Sequence, residues 1–498
     1  MIPGVLMQEA TSAAAMAPQV RTLADVAPLA PELVVILGAF GLLMLDLVLD
    51  ERRRIVTQAC AILVLLAAAA LIVAGIGGQG TVMDGMFVRD NIADVLKVSL
   101  LLFSAVALGY MWTFLRERSL FTGEITVLVL FATAGMMLLV SAGNLTMVYL
   151  GLELLALSSY TLVAIDRESP LSSEAAMKYF VLGALASGML LYGMSLLYGA
   201  THTLDLAAIS QAASGLAGED RMLLLTGTVF VVVGIAFKFG AAPFHMWLPD
   251  TYHGAPTPIT LFIGSAPKLA AFGMAYRLLE SGLGPVGDQW HLLLAGIAAL
   301  SLAIGNVVAI AQTNLKRMLA YSTISHVGFL FLGLAGGNAE GYAAAMFYAI
   351  SYAIMAAAAF GAIVMLSSRG FEADRIDDFK GLNARNPWMA GLVLCIMASL
   401  AGVPPFLGFW AKLVVLRAAI QGDLMWLAIV GIVFAVIGAF YYLRVIKVMY
   451  FDEPGGEPLQ VRPGRPLRVM FSINALALLV LGFAWSPIMT WCQQAFGI

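Results

Sequence analysis

Six ionisable side chains sit in stretches that are otherwise almost wholly apolar. They are Glu153 in YLGLELLALSSY, Lys178 in AAMKYFVLG, Lys238 in GIAFKFGAAPF, Lys268 in GSAPKLAAFG, His326 in YSTISHVGFL and Lys412 in GVPPFLGFWAKL. A charge in such surroundings costs a few kcal/mol or more, so buried ions usually have a task. Burial disfavours the charged form of either group, while a nearby opposite charge restores it. A Glu153–Lys238 pair would therefore give a lysine whose proton affinity follows the distance to its partner, which is the chemistry of a proton relay. Lysine suits that work because its pKa moves readily, whereas arginine stays charged. Plainer readings stand beside this one: a structural ion pair for Glu153, a snorkelling side chain for Lys178, and a satisfied interior histidine for His326.

The elements that must position these groups are membrane spans. The 498 residues are 61% hydrophobic and 11% charged, with a mean hydropathy of +0.92. That charge is far below the roughly 25% of a soluble globular protein, so the chain reads as an all-α polytopic membrane protein. Apolar runs long enough to cross ~30 Å of hydrocarbon fall at 31–49, 55–76, 92–115, 124–142, 144–165, 171–199, 222–249, 257–280, 291–313, 318–337, 341–367, 388–418, 422–448 and 468–491. About fourteen helices follow. Arg52–Arg54, Arg116, Arg118, Arg167, Lys316, Arg317, Arg369, Arg375, Lys380, Arg385, Arg444, Lys447, Arg462, Arg465 and Arg468 share one side, against Arg21, Arg89, Arg221, Arg277 and Arg417 on the other. By the positive-inside rule both termini lie outside, in the periplasm of a bacterium.

Two spans carry breaks. Pro243 removes a backbone donor five residues after Lys238, and Pro404 and Pro405 precede Lys412. Pro249, Pro256 and Pro258 are expected to keep the chain irregular up to the eighth span. The broken spans are five helices apart, and the lysine precedes the break in one and follows it in the other. That order fits an inverted repeat, an architecture whose ion sites lie near the bilayer midplane. The resulting division is a tail over 1–30, three helices over 31–123, a first five-helix repeat over 124–285, a second over 286–450, and a loop with the final helix over 451–498. Lys97, with Asp94 one turn before it, reads as a structural i,i+3 pair, and the charged loop 368–387 as solvated.

The three cysteines are far apart and share no ligand spacing with the five histidines. Neither a nucleotide-binding loop nor a haem or iron–sulfur motif is present, and the first residues lack the charged and apolar regions of a signal peptide.

The segments PFHMWLPDTYHGAPTP, QTNLKRMLAYSTISHVGF and GVPPFLGFWAK resemble the antiporter-like membrane subunits of respiratory complex I, the NADH-quinone oxidoreductase, over nearly all of the chain from residue 30 onward. A lysine in the twelfth span and a chain that stops after the fourteenth favour the N branch over the L and M branches. The resemblance implies a proton-translocating subunit that binds no cofactor itself, with NADH, FMN, iron–sulfur clusters and quinone held by partner subunits. Glu153 and Lys238 would form the input pair, Lys268 the central relay, Lys412 the outlet and Lys178 an auxiliary position; His326 receives no role. Implied partners are the peripheral subunits, the M-type and small membrane subunits and the lipid bilayer, with no nucleic acid. The rival readings are a subunit of a multisubunit sodium/proton antiporter, or a structural or quinone-binding subunit whose buried ions are inert.

Overall fold

The computed structural model describes residues 26–50, 53–454 and 464–498. Most of the tail expected over 1–30, with Arg21, lies outside these residues, as do Arg52 and Arg462. The long helices are α1 (Ala30–Asp46), α2 (Arg54–Ala74), α3 (Asn91–Glu117), α4 (Gly123–Val140), α5 (Leu145–Val163) and α6 (Pro170–Thr201). A short α7 (Leu206–Ala213) precedes α8 (Gly218–Phe239). Then follow α9 (Trp247–Gly254), α10 (Thr257–Gly264), α11 (Ala266–Tyr276), α12 (Gly287–Ile310), α13 (Leu315–Ala335) and α14 (Ala339–Leu366). The chain ends with α15 (Leu382–Arg385), α16 (Pro387–Ala401), α17 (Leu407–Gln421), α18 (Met425–Phe451), α19 (Arg465–Phe483) and α20 (Ser486–Ala495).

Among the described residues, 13 helical stretches are long and apolar enough to cross a membrane. The predicted span 388–418 falls outside that count because it is two shorter helices, α16 and α17, separated at its prolines. One sequence expectation needs correction. Pro249 and Pro258 lie inside helices α9 and α10, each in a first turn where no backbone donor is required. The link between α2 and α3 forms a hairpin of β1 (Gly80–Val82) and β2 (Phe87–Arg89), whose turn residues Met83, Asp84 and Gly85 all have positive φ.

Asparagine and aspartate set many helix starts. Asn144, Asn314, Asn338 and Asn386 accept from the backbone N–H three residues on, at 2.8, 3.0, 2.8 and 3.1 Å, which satisfies an otherwise orphaned donor. Asn144 also bridges Asp205 after α6, and Asn314 bridges Arg375 after α14. The same device thus recurs at the fifth and tenth predicted spans. Where α6 crosses α8 a Cβ on Gly193 would sit 2.9 Å from the Gly227 carbonyl, so only glycine permits this backbone approach.

Burial is uneven. The apolar window of α14 is wholly enclosed by other helices, while that of α19 is 28% buried. The loop before α15 is held down rather than merely solvated. Glu372 meets Lys316 at 3.0 Å, Asn314 donates to Asp374 at 2.6 Å, and Arg118 donates to the Ser368 and Phe371 carbonyls at 2.7 and 3.0 Å. Burial raises the proton affinity of Glu372, but Lys316, Thr257 and Arg118 outweigh it and hold the carboxyl below its usual range.

Candidate functional site

Helix α8 stops at Gly240, whose φ of +74° is the left-handed conformation glycine adopts freely. The backbone runs irregularly through the cis Ala242–Pro243 bond until α9 begins at Trp247. A helix that ends inside the protein leaves its last carbonyls without intrahelical partners. Here the Trp247 indole donates to the Phe237 carbonyl at 2.9 Å, and the Lys268 Nζ donates to that of Phe239 at 2.6 Å. Lys268 reaches this position from the first turn of α11, just after a break at Ser265 that the sequence reading missed. The lysine is buried and lies 5.6 Å from the centre of the Trp247 ring.

The second break repeats this plan. Helix α16 stops at Gly402, with φ +85°, and a cis Pro404–Pro405 bond precedes α17. The Lys412 Nζ donates to the Leu400 and Ala401 carbonyls at 2.9 Å each and lies 5.2 Å from the centre of the Phe329 ring. Each of these buried lysines is therefore held by the negative end of a half-helix dipole and the face of an aromatic ring. Neither has a carboxylate partner among the described residues.

His326, on α13, is 3% exposed. Its Nδ1 shares a hydrogen bond with the Tyr348 hydroxyl at 2.7 Å, and its Nε2 shares one with Tyr442 at 3.1 Å. Tyr442 continues to Ser322, and close by Tyr352 donates to Thr323 at 2.7 Å. These hydroxyls form a polar seam between α13, α14 and α18. These tyrosines are not among the residues singled out from the sequence; the i,i+4 pair Tyr348 and Tyr352 on an otherwise alanine-rich helix was the available signal.

Lys238 sits in the last turn of α8 and lines a cavity of about 20 Å³ with Tyr160, Tyr179, Ser187 and Trp247, room for about one water molecule. No ion pair within 4 Å joins it to Glu153 among the described residues. The Glu153 Oε1 is buried with no hydrogen-bond partner. The two groups are electrostatic neighbours across a gap, not a contact pair.

Lys178 takes up the snorkelling alternative. It is exposed, and ion pairs at 2.8 Å to Glu174 and 2.7 Å to Asp250 hold it; Asp250 also meets Arg317 at 2.7 Å. Its place two turns from the start of α6 lets the side chain reach the polar rim. Lys97 and Asp94 do not pair with each other. Asp94 faces Arg89 of the hairpin at 3.3 Å, and Lys97 meets Glu32 of α1 at 2.6 Å with both side chains enclosed. Tertiary packing between α1 and α3 overrides the local spacing. Among the described residues, no group of three or more His, Cys, Asp or Glu is placed to hold a metal ion.

The NADH:quinone oxidoreductase/Mrp antiporter transmembrane family matches residues 142–438, a stretch that contains both breaks. NADH-quinone oxidoreductase subunit N of Xanthomonas euvesicatoria pv. vesicatoria is 68% identical over 475 residues, 95% of this chain and 97% of that protein. The chain belongs to the subunit N family. Subunit N of Thioalkalivibrio sulfidiphilus is 51% identical, over 92% of this chain and 95% of its own length. Among solved structures, a chain of respiratory complex I from Thermus thermophilus with bound aureothin superposes with a TM-score of 0.78 at 31% identity, covering 92% of this chain and 98% of that one. A chain of the Mrp complex from Dietzia sp. DQ12-45-1b shares the fold, with a TM-score of 0.82 at 22% identity over 96% and 97% of the two chains. Like its subunit N relatives, this is an antiporter-like, multi-pass membrane subunit of a multisubunit assembly.

Proposed function

We propose that this chain translocates protons within a bacterial inner-membrane NADH:quinone oxidoreductase, with both termini periplasmic and with NADH, FMN, iron–sulfur clusters and quinone handled by partner subunits. Glu153 and Lys238 take up the proton on the cytoplasmic side, Lys268 carries it at the centre, and Lys412 releases it toward the periplasm. Lys178 serves as an auxiliary rim group that steadies Asp250 on α9. Two inverted five-helix repeats, over 124–285 and 286–450, generate the two breaks; the matching Asn144–Asp205 and Asn314–Arg375 bridges support this layout.

The observation that carries the reading is the way Lys268 and Lys412 are held. Carbonyl oxygens supply partial negative charge without a full counter-ion, so they orient an ammonium and leave its proton free to depart to water. A carboxylate at 2.7 Å would instead fix the charge. Lysine in this setting can alternate between charged and neutral states at modest cost. The Glu153–Lys238 gap supplies the variable term: closing it favours the charged lysine and opening it releases the proton, which Lys268 then accepts. A signal from electron transfer in the partner subunits would act on that gap.

The test is Lys238→Met in the assembled enzyme, reconstituted in vesicles. The expected result is a lowered proton yield per NADH oxidised, with flavin and iron–sulfur subunits still co-purifying. An unchanged ratio with full activity would sink the relay.

A further inference from the structure

Helix α19 rests against the rest of the protein by one stripe, Leu467, Phe471, Ala475, Leu478 and Gly482. The remaining faces leave a groove on either side. One, of about 880 Å³, runs over Met365, Leu366, Trp388, Met389 and Leu392. The other, of about 740 Å³, runs over Leu102, Phe103, Val106 and Ile354. Arg465, Val469 and Ile473 line both, and Arg468 lines the first. Among the described residues, no Asp or Glu lines either groove. Arg465 and Arg468 are exposed and stand on the first turns of the helix, at the arginine-rich end of the spans. Trp388 is 61% exposed at the same level, and its indole donates to Ser472 Oγ at 3.2 Å. A tryptophan so placed marks the depth of lipid headgroups.

We propose that one anionic diacyl phospholipid straddles α19, with its phosphate between Arg465 and Arg468 and one acyl chain in each groove. The shape selects this occupant. The two grooves flank one helix and share Arg465, Val469 and Ile473, with Arg465 at their basic end. A ligand with one charged head and two apolar tails matches that plan. The charge selects among lipids, because guanidinium forks bind phosphate bidentately and no carboxylate of the grooves competes. Basic sites between spans are a recurring means of anionic-lipid recognition. The inference is independent of the proton relay, and its test does not read pumping.

The membrane assembly, extracted intact in mild detergent, is exposed to phosphatidylglycerol bearing a photoactivatable acyl chain, and the labelled peptides are mapped. Labels are expected on α19 and on 386–392 or 102–106, displaced by unlabelled phosphatidylglycerol and not by phosphatidylcholine. Arg465→Gln with Arg468→Gln should lower labelling roughly tenfold or more. Ile473→Trp, which keeps both arginines and fills both grooves, should lower it as well. Equal displacement by the two lipids would overturn the proposal. So would labelling that persists in the arginine variant, or its absence from α19 because another chain or residues 455–463 cover the grooves. The competition in the unmodified assembly decides the matter even where a variant fails to assemble.

Discussion

Lysine is buried in two different ways in this protein. In the N-terminal helices Lys97 faces Glu32 at 2.6 Å, both side chains are enclosed, and the ammonium lies 4.6 Å from the centre of the Phe87 ring. At the two breaks Lys268 and Lys412 are as deeply placed, yet the partners that hold them among the described residues are carbonyl oxygens and rings. The first arrangement is a closed pair whose opposite charges meet directly. In the second, a protonated lysine has no carboxylate within ion-pair distance among the described residues, and burial makes its charge costly. In the proposed relay, partner type alone separates a clamp from a carrier.

Substitutions should break that contrast in graded order. Lys268→Met removes the proposed central carrier, and proton transfer through the chain is expected to fall by about 10²-fold, in line with the loss of a positioned proton-transfer group. Thermal stability should hold or rise, because an uncompensated charge is gone; vesicle acidification and a melting curve read the two effects. Lys97→Met should do the reverse. It strands the Glu32 carboxylate, costs about 3–5 kcal/mol of stability, and leaves the pumping ratio of whatever assembles unchanged. Adding Glu32→Leu to it should restore most of the loss, since a buried pair replaced by apolar groups is often neutral. Failure of the double variant to recover would mean that Lys97 and Glu32 do more than clamp.

Gly402→Ala probes the carrier geometry more gently. The position has φ +85°, and a Cβ there would lie 2.9 Å from the Lys412 side chain, so about 1–2 kcal/mol of backbone strain should come with a partial loss of pumping. Lys178→Ala is expected to have the smallest effect, leaving the proton ratio unaltered within error, because its ion pairs are at the exposed rim. A large loss there would promote Lys178 from auxiliary group to relay member.

Much of this was legible from residue types. Helix existence, the two breaks and the buried lysines at them follow from apolar runs interrupted by Pro243, Pro404 and Pro405, because a span's length and proline's missing donor are local properties. What Lys268 and Lys412 touch was not legible. Their partners are main-chain carbonyls, which every residue possesses and no sequence pattern marks. The Lys97 pairing failed for a related reason, since Glu32 lies 65 positions earlier and only the packing of α1 on α3 brings it near. Lys178 stood between an interior and a snorkelling reading because its run is apolar; position along α6, not composition, decides whether a lysine reaches the rim.

The enclosure of α14 has one more consequence. Its alanines let α10, α11, α13 and α17 crowd around it, so it touches the helices that carry Lys268, His326 and Lys412. Lipid can yield to a bulkier side chain; a helix enclosed by its neighbours along nearly all of its length has little room to send the strain. A single methyl added along α14 would be felt on both sides at once, which makes it the keel of the bundle and the stretch least open to redesign.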